Sequence, residues 1–173
     1  IFNIHKAWLK HGVLLFRSQR FSHGSLVEFS CQFGGLEPNP ASEKYESGAG
    51  LLPEVWIISN VVENGEPIGA LGAGEAEWHT DMSYIAEPPM GSILYLTDVP
   101  SSGGDTLFAS MYAAFDALSD TMQGFLSGLT AVHASDHVYD DREEKSLQSR
   151  DGVNPAAEHP VVRTHPVTGR KAL

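Results

Sequence analysis

Apolar residues at the start of the chain recur at near-helical spacing, at positions 2, 4, 7, 8 and 9. Gly12 follows them, and a glycine directly after an amphipathic run is a typical helix stop. The pattern predicts an amphipathic helix that ends at Gly12, and the apolar run at residues 13–16 predicts a buried strand. Ser22 is the predicted N-cap of a second helix, whose inward side chains are Leu26, Val27, Phe29 and Phe33.

Further along the chain, short apolar runs alternate with turns rich in glycine and proline. These runs predict strands at residues 55–58, 92–96, 106–108 and 161–163. Two helices are predicted at residues 111–118 and 121–129, with Ser119 as the N-cap between them. Long loops are predicted at residues 36–53 and 139–152. Many short strands, with helices gathered early and in the middle, indicate a mixed α/β, mainly β domain built as a sandwich or barrel with helical additions.

Composition narrows the class of protein. The 173 residues, 42% hydrophobic and 19% charged, fit one domain that can bury a core. The formal net charge of −11 argues against nucleic-acid and membrane partners, because both kinds of surface depend on Lys and Arg that neutralise phosphate. Cys31 is the only cysteine, which excludes an intramolecular disulfide and a multi-cysteine zinc site. We therefore expect a reducing, cytoplasmic setting.

The two ends of the chain indicate a fragment of a longer protein. The first residue is Ile1, and the chain stops at Leu173, soon after a predicted turn at residues 166–169 where a new strand should run. We therefore expect residues 1–173 to be one domain whose C-terminal part is absent, with some functional groups in that absent part.

One short motif has the composition of a metal site. His79 and Asp81 are two residues apart, so on an extended backbone they point to the same side. Together they supply two of the three ligands of the 2-His-1-carboxylate triad, which binds Fe(II) and leaves coordination positions open. A surface histidine near an aspartate has the same spacing, so the motif alone does not decide between the two interpretations.

The surrounding motifs add to this pair in a fixed order. Residues 78–84 read Trp-His-Thr-Asp-Met-Ser-Tyr, and residues 87–89 read Glu-Pro-Pro. Gly-Gly-Asp-Thr-Leu follows at residues 103–107, and His-Pro-Val-Val-Arg-Thr-His-Pro at residues 159–166. In this order, and over about residues 10–173, the sequence closely resembles the taurine dioxygenase (TauD/TfdA) family of Fe(II)- and 2-oxoglutarate-dependent oxygenases.

The resemblance implies a fold, a reaction and three site residues. The implied fold is a double-stranded β-helix, or jelly roll, with flanking helices, here incomplete at the C-terminus. The implied enzyme uses Fe(II), 2-oxoglutarate and O2 to oxidise a small organic acid or sulfonate, by hydroxylation with or without fragmentation, and releases succinate and CO2. His79 and Asp81 match the first two iron ligands, and Thr106 matches the threonine that binds a carboxylate of 2-oxoglutarate.

Two elements of the family pattern lie beyond the end of the chain: the distal iron-binding histidine and the arginine that pairs with 2-oxoglutarate. His159 and His165 belong to a motif that relatives have in addition to their distal ligand, so we interpret both as structural. We expect the fragment alone to be inactive.

Substrate contacts follow from the resemblance less directly. Glu75 stands where taurine enzymes have an asparagine, and Glu37-Pro38 replaces a loop that offers a histidine to the sulfonate. A carboxylate that faces a sulfonate is repelled by it, so taurine is expected to be a poor substrate if Glu75 points inward. Tyr84 matches an aromatic residue of the substrate pocket, and core packing is an equal alternative for it.

Two other functions are compatible with the residues. A non-catalytic β-rich binding or structural domain could keep the fold without complete metal ligation, and a homo-oligomer is compatible with either function. A zinc hydrolase could use His79, Asp81 and a later histidine. The hydrolase has no obvious general base, and it leaves the Gly-Gly-Asp-Thr motif unexplained.

Overall fold

A computed structural model describes residues 1–38, 52–71, 78–134 and 155–173. The predicted loop at residues 139–152 and most of the one at residues 36–53 lie outside the described residues. Within the described part, no helix combines the length and the apolar character needed to cross a membrane.

Two helices form the N-terminal part, as the hydrophobic pattern predicted. Helix α1 spans Phe2–His11, and Gly12 ends it with a φ of 76° and an N–H bond to the Trp8 carbonyl at 2.7 Å. This left-handed conformation is one that glycine adopts without steric cost. Helix α2 spans His23–Ser30. Its N-cap is Ser22, which forms a reciprocal capping box with Ser25 and so satisfies two otherwise unpaired N–H groups.

Aromatic rings join the two helices to the later segment at residues 91–96. Ring centroids lie 5.4 to 6.1 Å apart along the series Trp8–Phe33–Phe29–Phe21–Tyr95. The Phe21 N–H also donates to the Tyr95 hydroxyl at 3.3 Å. Most of these ring pairs meet edge to face, the geometry that aromatic quadrupoles favour.

Gly91 lies directly under the indole of Trp8. A Cβ atom at position 91 would stand 2.4 Å from the Trp8 Cζ2 atom, closer than any real contact. Helix α1 therefore approaches the backbone of the later segment at a point where only glycine fits.

The middle of the chain carries two small sheets. Strand β1, Ile58–Ser59, pairs in parallel with β4, Ala70–Leu71. Between them β2, Val62–Glu63, pairs antiparallel with β3, Glu66–Pro67. Asn64 and Gly65 connect β2 to β3 with φ values of 53° and 88°, the signs that a tight type I′ hairpin requires.

Two short helices follow, each with a serine N-cap. Helix α3 spans Met111–Asp116 and helix α4 spans Asp120–Leu126, and their N-caps are Ser110 and Ser119. The Gln123 side-chain amide donates to the carbonyls of Phe115 and Leu118, so α4 satisfies acceptors at the C-terminal end of α3.

The last part of the chain folds back on these helices as two strand pairs. Strand β5, Thr130–Ala134, pairs antiparallel with β6, Ala156–Pro160, and Ala131 faces His159. Strand β7, Arg163–Thr164, pairs with β8, Lys171–Ala172.

Strand β8 packs on α3. The Arg170 guanidinium, directly before β8, lies 3.9 Å from the ring centroid of Tyr112. Beyond the strand, the Leu173 N–H donates to the Met111 carbonyl at 3.2 Å. Phe115 and Val162 are the buried apolar side chains of the described residues, so the core lies between α3 and the last strands.

The strand predictions held in part. Of the predicted strands at residues 55–58 and 161–163, only Ile58 and Arg163 lie in paired strands. Residues 13–16, 92–96 and 106–108 form no strand. Their prediction as strands is wrong for this structure, because none of the described segments lies beside them as a hydrogen-bonded partner. Leu15 and Leu107 are 72% and 69% exposed rather than buried.

The described residues form a mixed α/β chain with more helix than strand, so "mainly β" is not what this part of the chain shows. Its strands occur as separate two-stranded pairs. A closed jelly-roll core is not among the described elements.

Candidate metal centre

His79 and Asp81 bring their donor atoms together at the surface. The His79 Nε2 atom lies 3.1 Å from Asp81 Oδ1, and the two side chains are 56% and 62% exposed. The backbone of residues 79 and 80 is irregular rather than part of a strand. The two side chains therefore approach each other, although the backbone is not the extended strand on which the sequence expectation was based.

The separation of these two atoms suits a metal ion. Two neighbouring ligands of an octahedral ion, each about 2.1 Å from the metal, lie about 3 Å apart. An imidazole nitrogen beside a carboxylate oxygen is also the donor set of the Fe(II) facial triad. The pair therefore fits two of the three protein ligands of such a site.

The second oxygen of Asp81 has its own partner. The Ser92 hydroxyl donates to Asp81 Oδ2 at 3.2 Å, which leaves Oδ1 directed at His79. Hydrogen bonds of this kind orient ligating carboxylates in metalloproteins. Ser92 was not a predicted site residue, because no sequence spacing indicates a contact across eleven positions outside a regular element.

The backbone directly after Asp81 is strained. Met82 has a φ of 51°, in the left-handed region, which costs a residue with a side chain about 1–2 kcal/mol. The Ile85 N–H donates to the Met82 carbonyl at 3.2 Å and closes a tight turn, called here the 82–85 turn. Such strain persists where neighbouring contacts determine the conformation.

His159 provides those contacts. Its Nε2 atom lies 2.9 Å from the Ser83 carbonyl oxygen and 3.0 Å from that of Ile85. Both partners are acceptors, so the nitrogen carries the hydrogen and donates to both. The side chain is on β6, and the residue is 8% exposed.

The histidines of the last motif both serve the fold, as predicted. His159 holds the 82–85 turn, and His165 Nδ1 accepts from the N–H groups of Val167 and Thr168. His133 packs its ring against that of His159, with centroids 5.3 Å apart. In the described ranges, no group of three or more His, Cys, Asp or Glu side chains could hold a metal ion. His137, another histidine that follows Asp81 in the sequence, lies outside those ranges.

The other predicted site residues are spread over the chain. Thr106 is exposed, and among the described residues no hydrogen bond of its hydroxyl is present and none joins it to Asp81. The glycines before it, Gly103 and Gly104, have φ values of 77° and 70° and form a turn. Tyr84 is half-buried in the 82–85 turn. Glu75 lies outside the described residues.

Comparison with known proteins gives the site a context. A sequence model of the family described as "Taurine catabolism dioxygenase TauD, TfdA family" matches residues 3–173. The chain is 32% identical over 174 residues to an alpha-ketoglutarate-dependent sulfonate dioxygenase of Saccharomyces cerevisiae, covering 94% of this chain and 39% of that protein.

Two bacterial proteins are similar over nearly the whole chain. The chain is 29% identical to the (S)-phenoxypropionate/alpha-ketoglutarate-dioxygenase of Delftia acidovorans, covering 98% of this chain and 60% of the relative. It is 30% identical to the alpha-ketoglutarate-dependent sulfate ester dioxygenase of Pseudomonas putida, covering 98% of this chain and 55% of that relative. The chain thus spans between 39% and 60% of the length of these three relatives.

Proposed function

Since this chain belongs to the TauD, TfdA family, whose members are Fe(II)- and 2-oxoglutarate-dependent dioxygenases, we propose that it is part of such an enzyme. The enzyme oxidises a small organic acid or sulfonate, by hydroxylation with or without fragmentation, and forms succinate and CO2. When bound, Fe(II) and 2-oxoglutarate activate O2 toward a substrate C–H bond. A reducing, cytoplasmic setting is part of the proposal and rests on the lone Cys31.

The observation that carries the proposal is the convergence of His79 Nε2 and Asp81 Oδ1 at 3.1 Å on an exposed surface. In the proposal these two side chains hold the metal. Ser92 keeps the Asp81 carboxylate turned toward His79. Solvent access at the pair leaves room for the cosubstrate and substrate, which a buried ion pair would not.

Thr106 is assigned to 2-oxoglutarate. Its exposed hydroxyl is available to donate to a carboxylate, which is a charge-assisted hydrogen bond. The third iron ligand and the arginine that pairs with 2-oxoglutarate lie, in this proposal, outside residues 1–173. The described chain is then one part of a single oxygenase domain and is inactive by itself.

The fold of the whole domain is proposed to be a jelly roll with flanking helices. The exposed apolar side chains of residues 13–16, 92–96 and 106–108 support it, because such runs are stable as strands once a partner strand covers them. Leu94 and Leu96, for example, are more than half exposed in the described structure.

The substrate class is narrowed by the relatives and by two carboxylates. The three relatives are named for sulfonate, sulfate ester and phenoxypropionate substrates. Glu75 stands at the asparagine position of taurine enzymes, and Glu37 is an exposed acidic residue in the loop after α2. We therefore expect taurine to be a poor substrate compared with another sulfonate, an aryloxy acid or an amine-bearing acid.

The test uses the full-length protein, with Fe(II), 2-oxoglutarate and a panel of sulfonates, amino acids and aryloxy acids. Substrate-dependent succinate and, for sulfonates, sulfite release are measured. His79→Ala and Asp81→Ala should reduce succinate to background, because each removes a metal ligand, and His11→Ala at the exposed end of α1 is the control. Glu75→Asn should move preference toward sulfonates.

Unchanged turnover in His79→Ala would end the iron assignment. Full-length protein that neither binds Fe(II) nor forms succinate with any panel member would favour the non-catalytic domain instead. Rapid turnover of taurine by the unaltered protein would refute the role given to Glu75.

A further inference from the structure

His159 is the buried polar side chain of the described residues, and it connects distant parts of the chain. It lies on β6, and its Nε2–H reaches two carbonyls in the 82–85 turn, 74 and 76 residues earlier. Both distances, 3.0 and 2.9 Å, are the usual ones for an N–H donor and a carbonyl oxygen. A single buried donor thus satisfies two backbone acceptors in one turn.

The turn that it holds begins one residue after Asp81. Met82 has a left-handed φ of 51°, and this unfavourable conformation fixes the direction in which the chain leaves Asp81. The Ile85 N–H bond to the Met82 carbonyl is the turn's own hydrogen bond. The two bonds from His159 therefore add long-range support to a local conformation that the sequence by itself disfavours.

The ring of His159 is in turn held from its own sheet. His133 on β5 is a diagonal neighbour on the same face, since Ala131 faces His159 in the register. The two rings meet edge to face, with an interplanar angle of 81°. The imidazole is held by the paired strands β5 and β6, so the position of the turn is set by that strand pair.

We propose that His159 is a positioning residue for the metal pair: it fastens the 82–85 turn to β6 and thereby holds Asp81 in register with His79. This inference rests on the proposed function, because it gives the turn a task in metal binding. His159 touches no reacting group and acts through the backbone of residues 82–85.

The test compares three variants of the full-length protein. His159→Leu removes the donor and keeps an apolar side chain in the buried position. His159→Gln retains an N–H donor near the place of Nε2. His133→Phe is the matched control, because it keeps the ring contact and alters a histidine on the neighbouring strand. Mn(II) affinity is measured by electron paramagnetic resonance, and amide exchange is followed at residues 79–85.

His159→Leu should weaken Mn(II) binding about 10-fold, the lower end of the range for groups that orient ligands, and speed exchange in the turn. His159→Gln should restore most of the Mn(II) affinity and most of the slow exchange in the turn. His133→Phe should leave the affinity and the exchange rate unchanged. If His159→Leu binds Mn(II) as the unaltered protein does, the inference is wrong. If His159→Gln folds and yet behaves as His159→Leu, the donor is not the cause and the inference is also wrong.

A measurement on the unaltered protein covers the case in which both His159 variants unfold. Coupling is reciprocal, so saturating Zn(II) should slow the exchange of the His159 Nε2 proton by the same factor, about 10-fold, and His79→Ala should abolish the effect. An unchanged exchange rate with Zn(II) bound would overturn the inference. Metal binding that is absent, or that persists unaltered in His79→Ala, would count against the proposed function instead.

Discussion

Both carboxylate oxygens of Asp81 contact a neighbouring side chain, and these two contacts determine the orientation of the carboxylate. Oδ1 faces His79 at 3.1 Å, and Oδ2 accepts from Ser92 at 3.2 Å. A carboxylate with one oxygen already engaged by a neutral donor loses less rotational freedom when the other binds a metal. Ser92 therefore belongs to the candidate metal centre, although no motif includes it.

We predict that Ser92→Ala in the full-length protein weakens Mn(II) binding about 10-fold, because the carboxylate loses its orienting bond. Ser92→Thr keeps the hydroxyl and should bind Mn(II) as the unaltered protein does. Electron paramagnetic resonance titration of the three proteins checks this. Equal affinity in Ser92→Ala and the unaltered protein would show that the 3.2 Å bond does not position Asp81.

A second prediction for a single residue concerns Thr106 and the binding of 2-oxoglutarate. Thr106→Ala should raise the 2-oxoglutarate concentration needed for half-maximal succinate formation about 10- to 100-fold, because a hydrogen bond to a charged group contributes about 1.5–3 kcal/mol. Thr106→Ser retains the hydroxyl and should stay close to the unaltered protein. A 2-oxoglutarate requirement that Thr106→Ala leaves unchanged would remove Thr106 from the site.

Helix α1 approaches the backbone of a later segment closely at Gly91. An added Cβ would meet the Trp8 ring at 2.4 and 2.9 Å. Gly91 also directly precedes Ser92, so the packing of α1 reaches the segment that orients Asp81. This contact links the first helix to the candidate metal centre.

Gly91→Ala should therefore lower the free energy of unfolding by about 1–3 kcal/mol, the usual cost of overpacking. Gly124→Ala is the matched control, since Gly124 lies in α4 with nothing near the added methyl, and alanine should raise helix stability by up to about 1 kcal/mol there. Denaturant unfolding of the full-length protein measures both. A Gly91→Ala variant as stable as the unaltered protein would contradict the close contact.

At the scale of the whole molecule, the described residues leave much apolar surface uncovered. Leu15, Leu107 and Phe108 are more than 60% exposed, in runs whose pattern predicts strands. Exposed apolar runs of this kind mark surfaces that become covered in the functional state. In the proposed jelly roll, partner strands of the same domain cover these apolar runs.

Amide exchange tests that proposal in the full-length protein. Residues 92–96 and 106–108 should be protected to the same degree as β5, Thr130–Ala134, because a paired strand shields its N–H groups. Residues 98–102, which lie between these two predicted strands, are the unprotected internal control. Rapid exchange throughout residues 92–108 would contradict strand pairing, and with it the jelly roll.

The sequence alone determined the local structure wherever a residue type acts on its own neighbours. Ser22 and Ser119 cap helices because their hydroxyls reach an N–H three positions on, and Gly12 ends α1 because it accepts a positive φ. His79 and Asp81 are only two positions apart, so their side chains can reach each other without any contact from the rest of the chain. These are short-range effects that do not depend on how the rest of the chain folds.

Only the tertiary structure decided which segments pair and what supports the candidate metal centre. An apolar run becomes a strand when another backbone satisfies its N–H and C=O groups, so residues 13–16 and 92–96 could not be assigned from their own pattern. The bonds from Ser92 to Asp81 and from His159 to the 82–85 turn join residues 11 to 76 positions apart. Such contacts depend on how the elements pack, and no local spacing in the sequence encodes them.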